Sequence, residues 1–262
     1  MTITTAWQGE LAARSFTFGR GTSYPGIGGI VGAYGTPTPE ATDLRLTGRD
    51  GTVGGIDRYP KRVLRIPMQV LGDDGAGVDT NLAALKAAWR RSDTDLALSL
   101  RLAGTTTLTY WGRPRGIDDS RLGKVEAGTA LVTATFDCLD PLAYGDTVTV
   151  GADASTPIPL TNSGNATSYR CVLTVAGNGG TPVLTNPDDP DGGDITFTST
   201  LAGGSSYVID LHDMSVVTGV SSTHVEDRVA ASSRWFGLAP GINNVAFTGC
   251  ASVAASFRPA WE

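Results

Sequence analysis

The stretch SSRWFGLAPGINNVAF, residues 232–247, decides how the second half of the chain folds. It places a Trp-Phe pair before a Pro-Gly step and follows that step with alternating apolar residues. Pro240 and Gly241 fit positions i+1 and i+2 of a type II turn, where glycine supplies the positive φ. We therefore interpret the stretch as the end of a strand, a hairpin corner and the start of the next strand. Trp235 and Phe236 are expected to enter the core between two sheets, in preference to forming an exposed binding site.

Alternation of apolar and polar residues predicts strands in much of the rest of the chain. The clearest examples are VLRIPMQVL (63–71), DLALSLRLA (95–103) and ALVTATFDCL (130–139). A period of two residues places the apolar side chains of each segment on one face of a sheet. These segments are therefore predicted to be half-buried antiparallel strands.

One segment has helical spacing instead. In DTNLAALKAAWRRSD (79–93), Leu82, Leu85 and Trp89 recur at i, i+3 and i+7. This spacing predicts an amphipathic helix over about 79–92, capped by Asp79 or Thr80 and covering a sheet.

The composition changes near residue 147. Residues 1–145 hold 16 Lys and Arg against 15 Asp and Glu, a balance of +1, whereas residues 146–262 hold 4 against 11, a balance of −7. Many short strands separated by turn clusters follow the change, which is typical of a β-sandwich. We therefore predict a mainly β protein of two β-sandwich domains, 1–146 with one helix and 147–262.

Charge and segment composition exclude several classes of protein. A net charge of −6 argues against an autonomous nucleic-acid binder, and the start of the chain lacks the features of a secretion signal. No apolar run approaches about 18 residues, so no membrane span is expected. Three cysteines lie far apart on apolar alternating stretches and are predicted to be buried free thiols: Cys138, Cys171 and Cys250.

Two features of the first half suggest surfaces that need a partner. Residues 19–43 are rich in Gly, Pro and Thr and are too long for a plain connection, so we expect them to be functional or ordered by a partner. The basic clusters RYPKRVLR (58–65) and WGRPRG (111–116) are either solvated strand edges or surfaces that meet acidic groups of a neighbouring subunit. A neighbouring subunit is expected to cover both the long loop and the edge of the strand near residues 62–66.

The search for catalytic chemistry gives no site. His212 and His224 lack metal-ligand spacing, and His212-Asp213 is interpreted as an exposed pair at a strand end. GIGGIVG (26–32) fails the dinucleotide fingerprint, since Val31 stands where the third glycine belongs. The aspartates of NPDDPDGGD (186–194) form either a calcium-attracting loop or a solvated hairpin loop, and their spacing does not match an EF-hand. No catalytic residue, cofactor or metal is therefore predicted.

With these segments placed, the chain resembles the distal tail proteins of long-tailed, non-contractile bacteriophages. In the second half the resemblance rests on LTNSGNATSYRCVLTVAG, SSRWFGLAPGINNVAF and the closing SFRPAW, and in the first half on the helix and FDCLDPLAYG. It implies a structural protein of the virion tail tip, assembled in the host cytoplasm. Such a protein forms a hexameric ring between the tail tube and the tail-tip hub and lets DNA pass. The first domain would make the ring, and the second would be a galectin-like, jelly-roll-like sandwich.

A second hypothesis is a carbohydrate-binding component that recognises a host cell-wall glycan. Its candidate stacking residues are Tyr110, Trp111 and Tyr207, each of which also fits sheet packing. An enzyme is the third hypothesis, and no acid, base or nucleophile constellation supports it.

Overall fold

The protein of 262 residues is described here from a computed structural model. The structure describes residues 3, 6–26, 29–33, 35–37, 39, 40, 42, 44, 45, 50, 52, 53, 59–103, 106–120 and 128–262. The chain divides into two compact units, residues 1–143 with residue 262, and residues 144–261. In the described part of the chain, no helix has the length and apolar character needed to cross a membrane.

The first unit is built mainly from strands. Its elements are β1 (Gln8–Leu11), β2 (Phe16–Gly19), β3 (Leu44–Arg45), β4 (Thr52–Val53), β5 (Arg62–Leu71), α1 (Gly75–Ala88), β6 (Leu96–Arg101), β7 (Leu108–Ser120) and β8 (Thr129–Cys138). The strands pair antiparallel in the order β2-β1-β6-β7-β8-β5, while β3 pairs with β4. The side chains of Leu64, Ile66, Met68 and Val70 are all buried, which confirms the predicted inner face of β5. The mainly β prediction with one helix in the first half is likewise confirmed by the described residues.

The helix begins four residues before the predicted start. Its N-cap is Asp74, whose Oδ1 accepts a hydrogen bond from the Gly77 N–H at 2.7 Å, so the prediction of Asp79 or Thr80 as the cap was wrong. It ends at Ala88, because Trp89 turns into the sheet and donates from Nε1 to the backbone oxygen of Thr135 at 2.9 Å. The predicted stripe is confirmed, since Leu82, Leu85 and Trp89 are all buried.

Part of the long Gly- and Pro-rich segment lies along the outer edge of β5. We call residues 23–26 and 29–31 the strap. Leu71 N–H donates to Ser23 O, Gln69 N–H donates to Pro25 O, and Val31 and Arg65 exchange two backbone hydrogen bonds, all at 2.9–3.0 Å. The chain itself therefore covers this edge, and the expectation that a neighbouring subunit does so was wrong. Residues 27, 28, 34, 38, 41 and 43 of the same segment lie outside the described residues.

The second unit is a sandwich of two antiparallel sheets. Its strands follow β9 (Ala143–Tyr144) and are β10 (Val148–Asp153), β11 (Ile158–Asn162), β12 (Cys171–Ala176), β13 (Val183–Asn186), β14 (Gly193–Thr196), β15 (Ser206–Asp210), β16 (Ser215–Thr218), β17 (Gly241–Thr248), β18 (Ser252–Phe257) and β19 (Ala260–Trp261). One sheet has the order β10-β18-β12-β15-β16 and the other β11-β17-β13-β14. Buried side chains from both sheets form one apolar cluster, which is the core that the short strands were predicted to enclose.

Candidate functional site

The corner at residues 232–247 is a structural element of the second unit. Phe236 and Leu238 are fully buried in the core between the sheets. Trp235 is only partly buried and packs against the margin of that core, so its predicted role as a central anchor was wrong. The segment pairs through isolated bridges at Arg234 and Leu238 and is not a continuous strand. Neighbouring side chains in an extended segment point to opposite sides, which explains why only Phe236 of the pair reaches the centre.

The turn of the corner is held by one buried asparagine. Gly241 has a φ of +99°, which confirms the positive φ predicted for it. Asn243, two residues later, accepts from the Ala239 N–H at its Oδ1 and donates from Nδ2 to the Ala239 oxygen, each at 2.8 Å. The asparagine thereby closes the turn around the Pro-Gly step.

Two further buried asparagines hold the corner to its neighbours, and the sequence interpretation missed them. Asn186 donates from Nδ2 to the Gly237 oxygen at 2.8 Å and to Asn243 Oδ1 at 3.2 Å. Asn162 donates from Nδ2 to the oxygens of Ala166 and Leu238, both at 2.8 Å. Both asparagines end a strand with the residues Leu-Thr-Asn, and this repeat in the sequence is the signal that identifies them.

The aspartates of the 186–194 loop bind protein groups in different directions. Asp188 Oδ2 accepts from the backbone and side-chain nitrogens of Asn244, and Asp189 Oδ2 accepts from the Gly237 N–H. Asp194 Oδ2 accepts from the Thr196 hydroxyl. A calcium site needs several oxygens directed at one point, and the described residues bring no three of these carboxylates together in such a group. The loop therefore pins the β13–β14 hairpin to the corner and to β17.

The candidate sugar-stacking residues are mostly inaccessible. Tyr110 and Tyr207 are buried, and Tyr207 stacks on Phe197 with ring centroids 4.8 Å apart. Trp111 is half-buried on β7. Stacking on a sugar requires an exposed ring face, so the structure contradicts the role proposed for the two tyrosines.

The two histidines lie at the surface of the second unit. His212 and Asp213 are both exposed, as predicted for a strand end. His224 Nδ1 lies 2.7 Å from Glu226 Oε1, and this hydrogen bond lowers the pKa of the Glu226 carboxyl. The same carboxylate oxygen accepts from the Val216 N–H at 3.1 Å, so the pair fastens a loop to β16.

The two basic clusters of the first unit share acidic partners within the chain. Lys61 and Arg115 both bind Asp137 Oδ2, at 2.7 and 3.1 Å, while Arg113 binds Asp95 at 2.7 Å. Asp137 is buried on β8, and its carboxylate binds Arg115 of β7 and Lys61, the residue before β5. Contact of these cations with a neighbouring subunit stays a prediction, and Arg58 of the first cluster lies outside the described residues.

All three cysteines are free and buried, which confirms the sequence prediction. Burial raises the pKa of Cys138 and of Cys171 to about 12, and it also raises the pKa of Cys250. A thiol with such a pKa is protonated at neutral pH and is a poor nucleophile. The cysteines therefore act as small apolar core residues.

The first unit has an apolar hollow at its surface beside an exposed tryptophan. The hollow has a volume of about 230 Å³ and lies between β2, β5 and the strap, with Phe18, Pro25, Ile30 and Ile66 among its lining residues. Trp7 also lines it, is 50% exposed and has a φ of +63°. That backbone conformation is costly for a bulky residue, so it marks a position under functional or structural constraint.

The geometry defines a class of protein before any comparison. The described residues place no group of three or more His, Cys, Asp or Glu side chains so that they could hold a metal ion. The polar groups that are brought together fasten strands and turns, and one of the exposed apolar side chains, Trp7, lines a surface hollow. The class that the fold defines is therefore a mainly β protein of antiparallel sheets with one helix among the described residues.

Comparison with known proteins places the chain in a family. A family model for the C-terminal domain of the siphovirus-type tail component matches residues 163–261. The distal tail protein of Bacillus phage SPP1 is 30% identical over 210 residues, which are 76% of this chain and 76% of that protein. The chain belongs to the siphovirus-type tail component family. It is a structural protein of the phage tail, of the distal-tail and baseplate-hub type, and the resemblance read from the sequence is confirmed.

Solved structures share the fold. The crystal structure of SPP1 Dit, described as a paradigm of the hub adsorption apparatus in phages that infect Gram-positive hosts, matches with a TM-score of 0.71 and 19% identity, covering 91% of this chain and 94% of that one. A chain of the phage P2 baseplate in its activated conformation with Ca matches with a TM-score of 0.53 and 8% identity over 91% of both chains. At these identities the matches show the fold.

Proposed function

We propose that this chain forms a closed ring of six copies that joins the tail tube to the tail-tip hub and lets DNA pass, with no catalytic step of its own. The observation that carries the proposal is the 30% identity with a distal tail protein over three quarters of both chains. The likeness of fold to a hub component over nearly the whole chain supports it. The number six comes from the family resemblance.

The surface of the first unit offers a physical reason for assembly. Trp7, which lines the apolar hollow, is 50% exposed, and Val31, which follows the lining residue Ile30, is 63% exposed. Closed rings form through head-to-tail contacts, in which one face of each copy meets a different face of the next. Contact with a different face of the next copy would cover both Trp7 and the hollow that it lines.

The charge of the first half suits a passage for DNA. Residues 1–145 carry a balance of +1, so a ring lined by this half would lack a strongly cationic bore. Each additional phosphate contact strengthens binding to DNA and slows its release. A weakly charged ring therefore favours transit over retention.

Two matched valine variants test the ring. Val31→Glu introduces a charge next to Ile30, which lines the hollow of the first unit. Val220→Glu introduces the same charge at the 89% exposed Val220, which lines a hollow of the second unit. We expect phage carrying Val31→Glu to assemble several-fold fewer complete tails in electron micrographs, and phage carrying Val220→Glu to match the wild type. Circular dichroism of both purified variants controls for folding. Equal numbers of complete tails from both folded variants would contradict the proposed contact.

A further inference from the structure

The four edge strands of the second unit differ in what covers them. The outer edge of β16 is covered by residues 223–225, since Thr218 N–H donates to Thr223 O and Val225 N–H donates to Val216 O, each at 2.9 Å. The outer edge of β14 is covered by residues 229–234 through Ala230 N–H to Thr196 O and Arg234 N–H to Asp194 O, at 2.8 and 2.7 Å. Two of the four edges are therefore satisfied within the chain.

The remaining two edges belong to β11 and β10. β11 contains Pro159, which removes a donor and blocks pairing in the way that is usual for an edge strand. β10 has no proline, and no described residue outside β18 pairs with it. Val148, Thr149, Gly151 and Ala152 are all exposed. β10 is thus the edge on which neither proline nor a described segment of the chain blocks pairing.

The neighbouring strand shows which backbone groups of β10 point outward. Arg258 N–H donates to Arg170 O at 3.0 Å, so Arg258 and the alternate residues of β18 direct their backbone groups towards β12. Phe257 therefore directs its groups towards β10, where it pairs with Val148. Hydrogen-bonded residues alternate along an antiparallel strand, so the N–H and C=O of Thr149 project from the open edge.

The length and charge of the β10 edge limit the peptide segments that can pair with it. The register shifts between Val150 and Asp153, and this bulge limits regular pairing to about residues 147–151. Asp146 and Asp153 bracket the strand, within a half of the chain that carries 11 acidic and 4 basic residues. A short strand with cationic ends complements this edge, whereas a second copy of β10 would bring further aspartates to it.

We propose that β10 is a docking edge that adds one extended segment of another protein as a short antiparallel strand, with Thr149 donating and accepting the central hydrogen bonds. The segment has β-branched residues at its centre and Lys or Arg at its ends, because those groups fit a pleated edge between two aspartates. Repeated edges in an assembly would strengthen such short contacts by avidity. The proposal rests on the second unit alone and does not depend on the ring.

The probe is a synthetic seven-residue peptide of alternating Val and Thr with a Lys at each end, added to the full-length chain. The Thr149 amide should exchange rapidly in the free chain and become protected in the presence of the peptide. The same peptide with a Glu at each end should bind about ten-fold more weakly or not at all, because like charges would face each other.

A pair of substitutions isolates the backbone contact. Thr149→Pro removes the outward N–H, whereas Thr149→Val keeps it and retains a β-branched side chain. We expect Thr149→Pro to weaken binding of the Lys-ended peptide about ten-fold or more and Thr149→Val to leave it within about two-fold. The unfolding temperature of Thr149→Pro checks that β10 itself stays folded, since its bonds to β18 do not use that N–H.

Four results would overturn the proposal. They are slow exchange of the Thr149 amide in the free chain, protection by the peptide at another strand, unchanged binding by folded Thr149→Pro, and equal binding of the Glu-ended peptide. If Thr149→Pro does not fold, the proposal is tested by hydrogen exchange of the Thr149 amide in the wild-type chain, measured with and without the peptide. A fifth result would also overturn it: self-association of the wild-type chain that Thr149→Pro abolishes, measured by sedimentation, would show that the segment comes from a second copy of this chain.

Discussion

The two units differ in which groups hold their turns and which groups line their surface hollows. In the second unit, Asn186 and Asn243 are buried and their side chains close the corner and join it to neighbouring strands. In the first unit, Trp7 is 50% exposed and lines an apolar hollow of about 230 Å³, and the exposed Val31 follows the lining residue Ile30. Buried polar groups that are fully paired make the segments around them rigid. Exposed apolar groups are unfavourable in water, and a partner that covers them lowers the free energy. The second unit also has a hollow, of about 220 Å³, with the 89% exposed Val220 among its lining residues. Assignment of the main assembly contacts to the first unit is therefore a proposal, which the two valine variants test.

The two halves also differ in charge. The first is nearly neutral at +1 and the second is acidic at −7. Acidic surface discourages association between copies and with DNA, and a nearly neutral surface does not. Charge therefore favours association through the first unit.

The largest expected effect concerns the corner of the second unit. Phe236→Ala should lower the free energy of unfolding by about 3–5 kcal/mol, the usual cost of emptying a large aromatic site. Trp235→Ala should cost about 1–2 kcal/mol, because a partly buried ring removes less area from water. Urea unfolding of both variants measures the difference. If Trp235→Ala lowered the free energy of unfolding as much as Phe236→Ala or more, Trp235 would be the main core residue of the corner.

An intermediate effect is expected from the buried asparagines. Asn186→Ala removes the donor to Gly237 O and should cost about 1–3 kcal/mol, because the buried oxygen loses its partner. Asn178→Ala is the matched control, since Asn178 is exposed and accepts only from the nearby Gly180 N–H, and it should cost less than about 1 kcal/mol. Similar costs for both variants in the same urea experiment would show that the asparagine network is not what makes the second unit self-contained.

A small effect is expected from separating the units. A fragment of residues 144–262 should unfold cooperatively within about 5 °C of the corresponding transition of the full chain, because its core is internal. A fragment of residues 151–262 is the comparison, since it lacks the first half of β10 and should unfold at a lower temperature. Thermal unfolding followed by circular dichroism checks both. The absence of a transition in the longer fragment would contradict the view that the second unit is self-contained.

The sequence predicted those features whose cause is local. Alternation identified the inner faces of β5, β6 and β8 because a half-buried strand repeats every two residues. The Pro-Gly step predicted the positive φ of Gly241 because few other residues adopt it. The family resemblance rested on the order of such segments and needed no distant contacts.

The features that the sequence did not predict depend on contacts between distant residues. The strap pairs with β5 through backbone atoms, which leave no trace in its Gly- and Pro-rich composition. The cap at Asp74 precedes two glycines that disfavour a helix, so the helix was predicted to begin later. The packing of other strands decides which of the Trp235 and Phe236 rings enters the core. It also decides which groups the 186–194 aspartates bind.

Electron microscopy of intact tail tips tests the central claim most directly. The account predicts a closed ring of six copies, with the first units in contact with one another and Trp7 and Val31 covered at the contacts. A single copy in each tip, or a ring closed by the second units while the first units make no contact with one another, would contradict it.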